Sequence, residues 1–426
     1  SGNLTLKAGQ DIDLKASTAS AEGTLQAKAG KDLRLTALND ATQTRETVKH
    51  RKNLWRGDYD TTETIETARS SVLVSGGAMT LASGENLHVL GSQVQSQGDL
   101  TVDAGGKVEI GTTRVIQERL EKNYKGDLLS GAFFGQNAQD DHSQDLVVGS
   151  QVDSNGTLRI SSEKVLISGS QVLGREDALL ISQSGALSID GAQNLISSDK
   201  SATDSKLFGL LKDQTRERKN TTTQVRSQVQ SQSNLRLQSA GDLNVIGSDV
   251  TAQGRLELEA AGDINLLAGK NTEKAVTERD RHGFSASAGE TKEAAPGVKG
   301  SEQYQAGINY NQQQTTITED TLTHEGSQLS GGSVDINAGN NLLVKGSDVT
   351  ATEGDLNLTG QSIELLSEMD KSLQVVEEDS LSLGQFYTGG MDRAGGGWQV
   401  DKDKEVTTTD ITKVQSSHLN AAGNIN

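Results

Sequence analysis

The 426-residue chain is poor in the residues that build a wide globular core: 33% of it is hydrophobic and only 3% aromatic. Its net charge of −18 argues against a nucleic-acid-binding spine, which needs clustered lysine and arginine. The chain has no cysteine, which excludes a disulfide framework and a cysteine-ligated zinc site. No apolar run approaches the roughly 18 residues of a membrane-spanning helix.

An internal repeat overrides the length-based expectation of several domains. Inward-facing aliphatic residues recur in five pairs, 21 residues apart in four pairs and 22 in the fifth, and the pairs follow one another at intervals of 75, 79, 77 and 99 residues. The pairs are Leu4 and Leu25, Met79 and Leu100, Leu158 and Leu179, Leu235 and Leu256, and Val334 and Leu356. Ile425 begins a sixth copy, so both ends lie at the same phase, as expected for a segment of a longer protein.

Each 21-residue unit carries three short strand patterns. Apolar and polar residues alternate in them, as in the run from Leu4 to Lys7. The second pattern follows a turn such as 29–32, Ala-Gly-Lys-Asp, in which glycine and aspartate favour a sharp corner. The third follows a Gly-Ser element such as Gly247-Ser248. We therefore predict an all-β, right-handed parallel β-helix of about eleven coils and roughly 50 Å.

Five long excursions interrupt the repeat, and we predict that each follows the second coil of a pair and leaves the same corner of the helix. Their edges are rich in threonine, which favours strands, and their centres combine glycine with apolar residues. We predict hairpin-like excursions at approximately 39–69, 112–145, 196–229, 270–322 and 368–412. The coils then cover approximately 1–38, 70–111, 146–195, 230–269, 323–367 and 413–426, within one solenoid segment, 1–426.

All twelve aromatic residues fall in the excursions. Apolar residues alternate from Phe284 to Ala288 and again from Tyr304 to Tyr310, which predicts a hairpin with one apolar face around a loop at Pro296-Gly297. Stacked hairpins are expected to shield one another's apolar faces. The candidate residues for contact with a partner or a membrane are Trp55, Tyr59, Phe133, Phe134, Phe208, Phe284, Tyr304, Tyr310, Phe386, Tyr387 and Trp398, and Tyr124 completes the twelve.

Three interpretations of these aromatic residues are open. They pack the hairpins onto the flank of the rod, they bind a partner, or they insert into a bilayer. The third interpretation has a length problem. The segment from Tyr304 to Tyr310 has seven residues, whereas a membrane-crossing strand needs about 9–11.

The chain carries no catalytic signature: it has no Gly-x-Ser-x-Gly elbow, phosphate-binding loop or HExxH motif. Its six histidines lie far apart, without ligand spacing. Aspartates such as Asp242 and Asp263 recur at turns, where they form corners. We predict no catalytic, cofactor-binding or metal site, and a chain that is not an enzyme. A carbohydrate-active β-helix enzyme is the least favoured alternative, because it needs carboxylates that converge on one face.

The sequence resembles the haemagglutinin repeats of filamentous-haemagglutinin-like exoproteins, which Gram-negative bacteria export by two-partner secretion. The resemblance rests on the Ala-Gly-x-Asp-Leu corner at 29–33, the Gly-Ser-x-Val element at 247–250 and the super-period of roughly 77 residues. It covers essentially the whole chain. The paired coils with long excursions look most like the later repeat region of CdiA-type effectors of contact-dependent growth inhibition.

The resemblance implies a secreted or cell-surface, non-enzymatic rod that acts in target-cell attachment or in outer-membrane engagement for toxin delivery. It implies two partners: the outer membrane or a surface receptor of the target cell, and an outer-membrane secretion partner that acts through a domain outside this chain. Nucleic acid is not an expected partner. The alternative is an adhesin rod that binds surface ligands. The sequence names neither a receptor nor a toxin.

Overall fold

The computed structural model describes residues 2–52, 54–127, 133–291, 303–389 and 394–426, and within these ranges every regular element is a strand. Thirty short strands form ten coils. Each strand pairs in parallel with its counterparts in the neighbouring coils, which gives three ten-stranded sheets. The chain is a parallel β-helix, and the fold predicted from the 21-residue repeat is confirmed.

The three coil sheets take one strand from every coil. The first coil sheet consists of Leu4–Ala8, Leu25–Ala29, Met79–Ser83, Leu100–Ala104, Leu158–Ser162, Ala178–Ser182, Leu235–Ser239, Arg255–Ala260, Ser333–Ala338 and Leu356–Thr359. The second consists of Ile12–Lys15, Leu33–Thr36, Leu87–Leu90, Lys107–Gly111, Lys164–Ser168, Leu187–Asp190, Leu243–Ile246, Ile264–Leu267, Asn341–Lys345 and Ser362–Leu366. The third consists of Thr18–Ala21, Val72–Ser75, Gln93–Ser96, Gln151–Ser154, Gln171–Gly174, Gln228–Ser231, Asp249–Ala252, Gln328–Gly331, Asp348–Ala351 and His418–Ala421.

Alternation along each strand decides which side chains form the core. Leu256 and Leu258 are fully buried, whereas Glu257 between them points outward. One predicted core position is wrong: Leu158 pairs with Ala178, so Leu179 faces away from the core. Every residue from Ala178 to Ile181 is apolar, and alternation therefore does not reveal the phase of this strand.

A fourth ten-stranded sheet, the hairpin sheet, consists of five antiparallel hairpins that also pair antiparallel with one another in chain order. Hairpins 1 to 5 are Leu38–Lys52 with Trp55–Arg69, Thr113–Asp127 with Phe134–Val148, Ala192–Lys206 with Leu211–Val225, Gly269–Thr291 with Gln303–Glu325, and Glu368–Gly389 with Ala394–Gln415. The predicted loop at Pro296-Gly297 lies outside the described residues.

All five hairpins leave the same corner after every second coil, as predicted. Counted from the strand in the first coil sheet, each hairpin lies between the second and third strands of its coil. In four of the other five coils this corner is a tight turn with a glycine in the left-handed region, such as Gly91 (φ 57°) or Gly247 (φ 54°), and in the first coil Ala16 (φ 46°) takes this position. Hairpin 3 spans 192–225 rather than 196–229, because its edges continue the alternating pattern of the coils and do not mark the corner.

The hairpins join edge to edge because their width matches the rise of the β-helix. Two coils rise about 9.6 Å, and the two strands of one hairpin occupy the same width. Each hairpin therefore meets the next along most of its length, as where 55–65 pairs with 117–127. The prediction that stacked hairpins shield one another's apolar faces is wrong: the hairpins form a single layer with most of both faces accessible to solvent.

A serine closes the corner beneath every hairpin. The Ser150 Oγ atom, just after hairpin 2, lies 2.6 Å from the carbonyl oxygen of Gly111 and 2.7 Å from that of Val89, and its single hydroxyl proton is shared between these two acceptors. Gly111 lies just before the same hairpin, so one hydroxyl joins its entry to its exit. The equivalent bonds run from Ser71 to Thr36, Ser227 to Asp190, Ser327 to Leu267 and Ser417 to Leu366, at 2.8, 2.5, 2.7 and 2.6 Å.

Candidate functional site

The tips of hairpins 1 to 3, at the ends that point away from the coils, carry exposed apolar side chains. Trp55 is 58% exposed and Phe208 is 69% exposed. Aromatic contacts join neighbouring tips: the ring centroids are 6.3 Å apart for Trp55 and Phe134, and 4.8 Å for Phe133 and Phe208. We call this set the apolar rim, and it comprises Leu54, Trp55, Phe133, Phe134, Leu207, Phe208 and Leu210.

The turn of hairpin 3 presents its rim residues in a strained conformation. Leu207 (φ 52°) and Phe208 (φ 59°) both occupy the left-handed region, followed by Gly209 (φ 81°). This conformation costs a non-glycine residue about 1–2 kcal/mol. Because the side chains of Leu207 and Phe208 stay exposed, burial within the chain does not offset that cost.

The apolar rim is locally basic although the whole chain is acidic. In hairpin 1 the segment 49–56 contains four lysines and arginines and no acidic residue. Lys206 and Lys212 flank the tip of hairpin 3, where Lys206 lies 3.7 Å from Asp204. Of these cations, Arg56 donates hydrogen bonds to Asp58 and holds the pKa of that carboxyl below its usual value. Cationic and apolar groups therefore occur together at the rim.

A second apolar surface lies on hairpins 4 and 5, whose strands have 22–23 residues where those of the other hairpins have 15. Pairing aligns Phe284, Tyr310, Leu383 and Val400 in one row across four strands. Trp398, in the next row, is 76% exposed. We call this set the distal apolar face, and it comprises Phe284, Tyr304, Ile308, Tyr310, Leu383, Tyr387, Trp398 and Val400.

Apart from Phe386, the reverse side of the same four strands is polar or small. Its equivalent row consists of Ser285, Asn309, Gly384 and Gln399. The predicted one-faced hairpin is therefore confirmed, since Phe284 pairs with Tyr310 and Ala286 with Ile308. Strand length no longer argues against membrane contact, because the strands continue well beyond the seven residues from Tyr304 to Tyr310.

The structure separates the eleven predicted contact residues into two groups and two outliers. The apolar rim contains four of them, Trp55, Phe133, Phe134 and Phe208. The distal apolar face contains five, Phe284, Tyr304, Tyr310, Tyr387 and Trp398. Tyr59 and Phe386 are half-buried on the opposite face of the sheet from the distal apolar face. Tyr124 lies beneath the Arg56 guanidinium, 5.8 Å from its ring centroid.

The interpretation that the aromatics fasten the hairpins to the flank of the rod is wrong for the two groups, whose members project from the sheet into solvent. The predicted contact residues were all aromatic, and the structure adds aliphatic neighbours that lie in the same rows or at the same tips. They are Leu54, Leu207, Leu210, Ile308, Leu383 and Val400.

The described ranges contain no group of three or more His, Asp or Glu side chains that could hold a metal ion. In the same ranges no helix has the length and apolar character to cross a membrane. The clefts on the hairpin sheet are open and lined by ion-paired side chains, such as Arg281 with Asp213 at 2.9 Å.

The architecture is that of a β-helical rod that displays a sheet of exposed hairpins. The hemagglutinin repeat family matches residues 1–53, 56–203, 208–380 and 307–426 of the chain. The chain therefore belongs to the hemagglutinin repeat family, and the predicted resemblance is confirmed.

Similar proteins share the repeat along different lengths. A hemolysin of Serratia marcescens is 28% identical over 98% of this chain and 26% of its own length, and a hemolysin of Proteus mirabilis is 25% identical over 99% and 27%. A tRNA nuclease CdiA of Escherichia coli O6:K15:H31 is 32% identical over 111 residues, which are 26% of this chain and 3% of that protein. The chain thus spans about a quarter of the two hemolysins. No solved structure matches it.

Proposed function

We propose that this chain is a structural, non-enzymatic rod segment of a secreted, cell-surface exoprotein, and that its hairpin tips engage the lipid surface of a target cell. The observation that carries the proposal is the apolar rim, where exposed side chains such as Trp55 and Phe208 lie beside lysines and arginines. Similarity to two hemolysins along almost the whole chain supports contact with a membrane. Export through an outer-membrane partner is part of the same proposal.

Burial of the rim supplies enough free energy for reversible binding. Fully burying a large apolar side chain contributes about 1.5–3 kcal/mol, and the rim side chains are already about half buried. Seven such residues therefore contribute on the order of 5 kcal/mol on entering the interface of a bilayer. The lysines add about 1 kcal/mol each next to an anionic surface.

The acidic body of the chain does not cancel this attraction. Fifteen-residue strands place the tips of hairpins 1 to 3 roughly 50 Å from the coils. The Debye length at physiological ionic strength is only about 8 Å. A membrane at the rim is therefore exposed to the local basic charge rather than to the net charge of −18.

Vesicle flotation of the purified chain tests the proposal. We expect the chain to float with phosphatidylcholine vesicles, and more completely when phosphatidylglycerol is added. Leu54→Ser with Trp55→Ser and Phe208→Ser should reduce the floating fraction at least tenfold. The matched control is Ile116→Ser with Leu195→Ser and Ile411→Ser, which are 40–48% exposed and lie near the hairpin bases. Absence of flotation, or equal loss in both triple variants, contradicts the proposal.

The second candidate is the rod of a contact-dependent growth inhibition effector, which the partial match to CdiA favours. Labelled chain should then bind Gram-negative cells more strongly than erythrocytes, whereas a hemolysin-like segment should prefer erythrocytes. An adhesin rod, the third candidate, requires binding that protease treatment of the cell surface removes. Rim-dependent binding to protein-free vesicles separates the lipid proposal from this last one.

A further inference from the structure

Hairpin 4 has a strand edge that no described strand covers. Its first strand pairs with hairpin 3 only as far as His282, which lies opposite Lys212. Beyond that point, among the described residues, the strand has a neighbour only on its other side, where 283–291 pairs with 303–311. The residues from Phe284 to Gly289 are all exposed. The length difference between hairpins 3 and 4 thus creates an open edge inside the sheet.

This open edge lacks the protection found on the outer strands of the same sheet. The segment Gly283–Gly289 reads Gly-Phe-Ser-Ala-Ser-Ala-Gly and contains no charge and no proline. The outermost strands, Leu38–Lys52 and Ala394–Gln415, both carry several charged residues. Charged side chains on edge strands are a common way in which proteins prevent the addition of another strand. The segment 283–289 therefore has the chemistry of an edge that accepts a strand.

A cleft of about 480 Å³ lies at the foot of the open edge, where the tip of hairpin 3 meets the longer hairpin 4. Its lining includes Leu211, Lys212, Arg281 and Phe284. An incoming antiparallel strand would run from the tip of hairpin 4 toward this cleft and place its C-terminal end there. The edge and the cleft thus form one continuous surface.

We propose that Gly283–Gly289 binds an extended, uncharged peptide segment of a protein partner by adding it to the hairpin sheet as a strand. Main-chain hydrogen bonds supply the affinity in this mode, and alternate side chains supply the specificity. Incoming residues beside Ala286 and Ala288 lie on the distal apolar face, where these small side chains leave room for large apolar groups. The residues between them lie beside Ser285 and Ser287 and are small or polar.

A second copy of the chain fits this edge less well. Antiparallel pairing of the segment with itself places Gly289 of the copy opposite Gly283. The next residue of the copy would then fall opposite His282, a position already taken by Lys212. A separate peptide strand that ends at the cleft avoids this collision. The proposal does not depend on lipid binding by the apolar rim, since it concerns a different hairpin and a main-chain edge.

Peptide binding to the whole chain tests the proposal. The probe is a labelled nonapeptide, Gln-Tyr-Gln-Ala-Gly-Ile-Asn-Tyr-Asn, with the sequence of 303–311, which already pairs with this strand on its other side. We expect saturable binding by fluorescence anisotropy. Ser285→Lys with Ser287→Lys should weaken it at least tenfold. The matched control is Ser380→Lys with Ser382→Lys, on the same face but in a strand covered on both sides, and it should bind as the unmodified chain does.

A peptide of the same sequence with alternate backbone nitrogens methylated separates strand addition from simple adsorption. It keeps every side chain but loses hydrogen-bond donors, so we expect it not to bind. Equal binding of the methylated peptide overturns the proposal and assigns the affinity to the distal apolar face. No binding of the unmodified peptide overturns it too, as does equal weakening in the control variant. Concentration-dependent dimers abolished by the Ser285 and Ser287 changes would assign the edge to a second copy instead.

Discussion

The coils and the hairpin sheet use the same kind of secondary structure in opposite ways. The coil sheets close around a continuous core in which residues such as Leu33, Leu87 and Leu243 are fully buried. The hairpin sheet is a single layer whose strands are joined by main-chain pairing and by surface ion pairs such as Arg216 with Asp199 at 2.6 Å. The contrast shows that stability resides in the rod, whereas the hairpins present side chains to the surroundings.

Surface ion pairs do not give the hairpin sheet the stability that apolar burial gives the coils. Exposed pairs contribute about 0–1 kcal/mol each, whereas a buried leucine contributes about 1.5–3 kcal/mol. Hairpin tips therefore form the low-stability end of the molecule and should exchange amide protons faster than the coils. Proximity to the core, rather than strand length, decides which strands are protected.

Truncation of one leucine in each region gives the largest expected contrast. Leu258→Ala removes a fully buried side chain from the coil core and should lower the free energy of unfolding by about 2–5 kcal/mol. Leu383→Ala, on the distal apolar face, should change it by less than about 0.5 kcal/mol. Urea unfolding followed by circular dichroism measures both. Equal losses would mean that the hairpin sheet is covered by a core of its own.

The serine beneath each hairpin joins the two regions and gives the next largest effect. Ser150→Ala leaves the carbonyl oxygens of Gly111 and Val89 without this donor and should cost about 1–3 kcal/mol. Hydrogen exchange should rise at both ends of hairpin 2. Ser248→Ala is the control: Ser248 is equally buried but donates to Ile246, whose carbonyl lies at the base of hairpin 3 and not of hairpin 2. Faster exchange at hairpin 2 in both variants would contradict a clamp specific to the hairpin base.

Asp190, just before hairpin 3, should give a smaller, pH-dependent effect. Burial raises the pKa of this carboxyl to about 6, and its Oδ1 atom is buried without a hydrogen-bond partner in the described structure. Since the pKa is about 3.9 in the unfolded chain, folding is penalised as the pH rises through about 6 and is not penalised below about 4. Asp190→Asn should therefore raise the melting temperature at pH 7.5 but not at pH 4. A gain that is the same at both pH values would exclude ionisation as the cause.

The sequence predicted the coils well because their alternation and spacing are local signals. Leu4 and Leu25 lie 21 positions apart and become direct partners. It predicted the hairpin sheet poorly, since edge-to-edge pairing depends on the match between coil rise and hairpin width, which no single segment encodes. The aromatic side chains were identifiable in advance, but the row that joins Phe284 to Val400 spans 116 positions and exists only once the register is set.

Disulfide trapping between neighbouring hairpins tests the central claim that the hairpins form one continuous sheet beside the rod. The chain has no cysteine, so Thr61→Cys with Glu121→Cys, and Thr62→Cys with Leu120→Cys, report only on the pairing of hairpins 1 and 2. At least one of these adjacent pairs should oxidise nearly completely, while Thr61→Cys with Asp140→Cys, two strands apart, should stay reduced. If neither adjacent pair forms a disulfide while the coils remain folded, the hairpins project independently and the account is contradicted.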